Sequence, residues 1–192
     1  VIEKLIEIAD NIIIGGAMSN TFIKAKGGKI GNSLYEEKKL NLSIEILKKA
    51  KENNIKITLP VDSKCSKSLN ENEKIMVFES DKIDNNYCSF DIGPKSFKKF
   101  NSIIKNSKTI IWNGPMGVFE NIHFRYGTNE VANSISEATK NGAFSLVGGG
   151  DSVSAIKKNN KENDISFIST GGGALLDLIG NGSLPALDLL KK

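Results

Sequence analysis

Four short apolar runs in this chain each open into glycine. Ile14 is followed by Gly15-Gly16-Ala17, and Trp112 by Asn113-Gly114-Pro115-Met116-Gly117. Val147 is followed by Gly148-Gly149-Gly150-Asp151, and Ser169 by Thr170-Gly171-Gly172-Gly173. If the runs are strands of a parallel sheet, these turns share the edge where ligands bind. Glycine lets backbone N–H groups approach a ligand closely, and a following helix adds its positive N-terminal dipole. Such turns suit a phosphate. The plainer reading is that glycine only makes tight turns, but one glycine suffices for turning. Three in a row, twice, point to something packed against bare backbone.

Two carboxylates stand at these turns. Asp151 follows the first triple glycine at the start of a predicted helix. It reads as a helix cap, as a carboxylate holding Mg²⁺ against nucleotide phosphates, or as both. Glu120 closes the loop from Asn113 and is either a surface acid or an acceptor for two ribose hydroxyls. His123 has no partner histidine and reads as a surface or packing residue. Trp112 and Phe119 read as core or pocket wall.

The elements that must position these turns follow from periodicity. Strands are expected at Asn11–Ile14, Ile55–Val61, Lys74–Phe78, Thr109–Trp112, Phe144–Val147 and Ile165–Ser169. Helices are expected around Leu40, Ile44 and Leu47, after Pro94 through Phe97, Phe100 and Ile104, around Val131, Ile135 and Ala138, over Asp151–Lys158 and over Ala174–Ile179. Strand and helix alternate, which predicts an α/β fold. Its form is doubly wound, a mainly parallel sheet with helices on both faces in a Rossmann-like three-layer sandwich. The polar stretch Ser63–Asn86 is expected to leave that sheet. Helical spacing already runs at Ile2, Leu5 and Ile6, so the chain reads as a fragment that starts inside a helix.

Composition narrows the classes. The chain has 192 residues, 39% hydrophobic and 25% charged, with a net charge of +4. The basic residues are 25 Lys and one Arg, Arg125, scattered among acids. Nucleic-acid recognition favours Arg and interleaved aromatics, so no nucleic-acid partner is expected. Charged Glu3, Lys4 and Glu7 interrupt the first apolar stretch, and no run reaches the roughly 18 residues of a spanning helix, so neither a signal peptide nor a membrane partner is expected. Cys65 and Cys88 match no zinc-site spacing and read as free thiols of a reducing cytoplasm. The dinucleotide G-x-G-x-x-G, the P-loop and the G-x-S-x-G elbow are absent.

Six stretches together resemble a known family. Ile13-Ile14-Gly15-Gly16-Ala17-Met18, Leu59-Pro60-Val61-Asp62, Asp91-Ile92-Gly93-Pro94, Trp112 through Glu120, Gly148-Gly149-Gly150-Asp151-Ser152 and Ser169-Thr170-Gly171-Gly172-Gly173-Ala174 resemble the C-terminal, nucleotide-binding domain of the phosphoglycerate kinases. Their order and approximate spacing match, and the resemblance runs over residues 1–192. It implies a phosphotransferase of glycolysis that moves a phosphoryl group between 1,3-bisphosphoglycerate and ADP, giving 3-phosphoglycerate and ATP. The implied cofactor is Mg²⁺ with ATP or ADP as substrate, and the implied state is a monomer. Phosphoglycerate would sit on an N-terminal domain that this chain lacks. So would the family's phosphate-gripping lysines lie upstream of Val1, leaving the fragment inactive alone. A stand-alone nucleotide-binding module without phosphotransfer is the alternative, and an α/β protein with purely structural glycines a third reading.

The resemblance also implies roles. Gly16, Ala17, Leu34, Ser89 and Phe90 would line the adenine pocket. Asn113, Pro115, Gly117 and Val118 would border the nucleotide, and Glu120 would hold the ribose. Gly149, Gly150, Asp151 and Ser152 would meet phosphates and metal, with Asp151 the metal ligand. The backbone N–H groups of Gly150 and Gly173 would face the transferring phosphoryl group. The family usually has glycine where Ala17 and Ser89 stand, leucine at Phe90 and often threonine at Ser152. Ser89 and Phe90 are therefore expected to reshape the adenine pocket.

Overall fold

A computed structural model describes residues 2–70, 72–172 and 180. The predicted helix over Ala174–Ile179 and the candidate Gly173 lie outside the described residues. In chain order the elements are α1 (Ile2–Ile8), β1 (Asn11–Ile13), α2 (Gly16–Ala25), β2 (Lys29–Ile30), α3 (Leu40–Glu52), β3 (Lys56–Thr58), β4 (Asp62–Ser66), β5 (Met76–Glu79), β6 (Lys82–Ile83), β7 (Cys88–Ile92), α4 (Pro94–Lys105), β8 (Thr109–Asn113), α5 (Tyr126–Lys140), β9 (Phe144–Gly148), α6 (Gly150–Lys158) and β10 (Phe167–Ser169).

The fold is α/β with mainly parallel strands. β1 pairs with β3, β2 with β6, and β9 lies between β8 and β10, all in parallel. The single sheet expected from the sequence is divided, because no ladder joins β1 to β8 among the described residues. Their cores still meet, since Ile13 of β1 packs against the cluster under β8. The polar excursion is an antiparallel sheet in the order β5-β4-β7. Its central strand escapes periodicity because it buries polar residues, Asp62, Ser63 and Ser66. β7 and α2 also go unpredicted. Of the expected strand over Ile55–Val61 only Lys56–Thr58 forms a strand, β3, and β4 starts beyond the span at Asp62.

The main core joins β8 and β9 to α4, α5 and α6 through Phe100, Ile104, Ile110, Trp112, Ile135, Val147 and Ile156. α5 presents Val131, Ile135 and Ala138 at helical spacing to it. A second cluster joins α1, β1, α2 and α3 through Ile6, Ile12, Phe22, Ile46 and Ala50. On β8, β9 and β10 the face opposite the main core carries Ile111, Phe144 and Phe167, which are exposed among the described residues.

Candidate functional site

The glycine turns converge. A Cβ at Gly16 would lie 2.8 Å from the Pro115 carbonyl oxygen, so the turn after β1 rests on the turn after β8. A Cβ at Gly149 would lie 3.1 Å from the Asn113 side chain, joining the β8 and β9 turns. A Cβ at Gly172 would lie 2.4 Å from Gly149 Cα, joining the β9 and β10 turns. Gly149 takes φ 86° as the residue before α6, a conformation that favours glycine. These glycines are thus required by packing. Gly150 is different: a Cβ there would meet nothing within 4 Å, and the residue is exposed in the first turn of α6. Neither crowding nor backbone conformation asks for glycine at that position.

Local bonds fix the loop after β8. Trp112 Nε1 donates to the Gly114 carbonyl at 2.8 Å, and Met116 N–H donates to Thr128 Oγ1 at 3.0 Å. Gly114 N–H donates to Ser152 Oγ at 2.7 Å. Ser152, expected from the resemblance at the phosphates and metal, is wholly buried, and its Oγ ties α6 to this loop. Phe90 accepts the Val118 N–H on its carbonyl at 2.8 Å, and its ring packs on Phe124 with centroids 5.1 Å apart. Ser89 N–H donates to Ser33 Oγ at 2.8 Å, which sets Ser89 beside the residue preceding Leu34. Asn20 Nδ2 donates to the Leu34 carbonyl at 3.0 Å, leaving the Leu34 side chain 75% exposed. So Gly16, Leu34, Ser89, Phe90, Asn113, Pro115, Gly117, Val118 and Gly149 belong to one connected set of loops.

The remaining candidates border that set. Ala17, Glu120, Gly150 and Asp151 are exposed. Asp151 stands in the first turn of α6 and makes no capping bond, because Gly149 occupies the cap position. The helix-cap reading of Asp151 is thereby corrected, and among the described residues its carboxylate makes no hydrogen bond. Trp112 and Phe119 are buried, as pocket wall or core. His123 is half-buried, and its carbonyl accepts from Lys64 Nζ at 2.8 Å.

Two buried carboxylates, Asp62 and Asp91, fix neighbouring backbone, and only Asp91 touches these loops. Asp62 of β4 accepts the N–H groups of Lys95 at 3.0 Å and Ser96 at 2.7 Å, capping α4 from another element. Asp91 at the end of β7 accepts the N–H of Gly127 at 2.8 Å and of Ile92 at 2.9 Å. Burial pushes the Asp91 carboxyl up to about 7, against the pull of those N–H donors and of Lys64. Periodicity gave no signal for it, because β7 is only half-buried before Asp91. Burial likewise pushes the Cys65 thiol up to about 12, and both cysteines are free.

Comparison with known proteins agrees with this architecture. The family profile described as Phosphoglycerate kinase matches residues 1–181. The phosphoglycerate kinase of Porphyromonas gingivalis is 46% identical over 187 residues, 97% of this chain and 45% of that protein. That of Finegoldia magna is 46% identical over 190 residues, 99% of this chain and 47% of that protein. The solved phosphoglycerate kinase of Coxiella burnetii superposes with a TM-score of 0.93 at 39% identity, covering 98% of this chain and 48% of that one. The chain thus spans about half the length of the relatives it matches. With its profile match, its relatives and its converging glycine turns in agreement, the chain belongs to the phosphoglycerate kinase family.

Proposed function

We propose that these residues form the nucleotide-holding half of a two-domain glycolytic phosphotransferase. The whole enzyme would move a phosphoryl group between 1,3-bisphosphoglycerate and ADP, and phosphoglycerate would bind a second, N-terminal domain. The observation that carries the reading is Gly150, a glycine in a helix's first turn with open space before it and no structural need for glycine. A phosphate seated on bare N–H groups at a helix N-terminus accounts for it.

The candidate residues divide by chemistry. Gly16, Ala17, Leu34, Ser89 and Phe90 would take the adenine, Asn113, Pro115, Gly117 and Val118 the nucleotide's flank, and Glu120 the ribose hydroxyls. Gly149, Gly150, Ser152 and Gly173 would offer N–H groups to phosphate oxygens. Asp151 fits Mg²⁺, since that ion keeps its waters and takes one or two carboxylates together with substrate phosphates. When bound, Mg²⁺ would neutralise charge on the phosphates. Phosphoryl transfer rests mainly on positioning and electrostatics, so a site of amides and one carboxylate needs no covalent nucleophile.

A coupled assay of ATP formation from 1,3-bisphosphoglycerate and ADP tests the reading. The chain alone is expected to show no turnover. Adding a relative's remaining half is expected to restore it. Turnover by the chain alone near that of an intact kinase would contradict the half-enzyme reading.

A further inference from the structure

We propose that Asp91 is a positioning residue for the nucleotide site, its carboxylate fixing the segment from Gly114 to Gly127 that carries Pro115, Gly117, Val118 and Glu120. The proposal rests on the nucleotide reading above and assigns a role to a residue outside the candidate contacts.

Asp91 is 2% exposed, and its two carboxylate oxygens serve different elements. Oδ2 accepts the N–H of Gly127, in the first turn of α5, while Oδ1 accepts that of Ile92 in β7. The loop is pressed onto the same group: a Cβ at Gly117 would lie 2.5 Å, and one at Gly127 2.4 Å, from Asp91 Oδ1. The preceding residue, Phe90, takes the Val118 N–H on its carbonyl. Consecutive residues of β7 therefore hold the middle and the end of the loop. Lys64, opposite Asp91 in the β4–β7 pairing, adds a third tie through the His123 carbonyl and lies 5.6 Å from the Tyr126 ring centroid. The charged and titratable groups facing Asp91 are thus Lys64 from β4 and Tyr126 from α5, with Glu130 beyond Tyr126.

Burying a carboxylate is costly unless its partners need it. Here the partners are the loop's own backbone. Asp62, one strand away and equally buried, is the internal comparison, because it caps α4 and bonds no candidate site residue.

The test measures ADP and inorganic pyrophosphate binding by calorimetry, and amide hydrogen exchange, in the full chain and in Asp91→Asn, Asp62→Asn and Lys64→Met. Asp91→Asn replaces one acceptor oxygen with a donor, so one N–H loses its partner. ADP affinity is expected to fall about ten-fold, the equivalent of one such lost bond, with pyrophosphate binding unchanged. Exchange at Val118 and Gly127 is expected to accelerate while β8 and β9 stay protected. Asp62→Asn is expected to lower stability without altering the ratio of the two affinities. Lys64→Met is expected to give a weaker version of the Asp91 pattern and stands in if Asp91→Asn does not fold. Wild-type ADP affinity with unchanged exchange over residues 114–127, or equal losses for ADP and pyrophosphate, would overturn the proposal. If the wild-type chain binds no ADP, the nucleotide reading fails. Exchange at Val118 and Gly127 then decides alone, with acceleration supporting the role of Asp91 in fixing the loop and no change overturning it.

Discussion

Gly172 rests directly on Gly149, leaving no room for a side chain between the second and first triple-glycine turns. Gly172→Ala is expected to force the β9 and β10 turns apart and to destabilise the chain by about 1–3 kcal/mol, as overpacking does. Urea unfolding followed by circular dichroism measures it.

Gly150 gives the opposite expectation. Alanine fits there and favours the helix, so Gly150→Ala is expected to gain about 0.5–1 kcal/mol of stability. The same change is expected to weaken ADP binding. A stabilised variant with unaltered ADP affinity would return Gly150 to a purely structural role.

Asp151→Ala is expected to weaken Mg²⁺-nucleotide binding far more than binding of metal-free nucleotide. Stability should change little, because Asp151 makes no capping bond. Calorimetric titration with and without Mg²⁺ separates the cases, and equal losses in both would remove Asp151 from the metal.

Much of this architecture was legible in the sequence. The periodicity of Val131, Ile135 and Ala138 gives α5, and Pro94 ahead of Phe97, Phe100 and Ile104 gives α4, because apolar spacing reports burial directly. The glycine turns also announce themselves by type. What periodicity does not reveal is a strand whose buried face is polar. β4 hides Asp62 and Ser63, bonded to Ser96 and Ser80 far along the chain, and Ser66, whose Oγ has no partner among the described residues. The same blindness concealed Asp91, whose partner Gly127 lies 36 residues on. It also gave no sign that the Ser152 oxygen serves Gly114 from 38 residues away.

The Asp91 carboxyl sets a pH dependence of stability. Burial raises its folded pKa to about 7, so between the unfolded carboxylate range and that value the folded state holds a proton that the unfolded chain has lost. Its contribution is fully present below about pH 4 and lost as pH rises through about 7, a span on the order of 4 kcal/mol at most. Asp91→Asn is expected to remove this component. The difference between wild-type and variant stability, measured by urea unfolding from pH 4 to 8, should decline with pH. A flat difference would contradict it.

Under the proposed function these converging turns hold an adenine nucleotide. Calorimetric titration of ADP with Mg²⁺ into the 192-residue chain tests it most directly. Binding is expected to be saturable at one site but weak. If two charge-assisted phosphate contacts of about 1.5–3 kcal/mol each come from outside these residues, affinity falls roughly a hundred-fold to ten-thousand-fold relative to an intact kinase. Glu120→Ala is expected to weaken it further. Heat that never saturates at millimolar ADP, or saturable binding that both Glu120→Ala and Gly150→Ala leave untouched, would contradict the account.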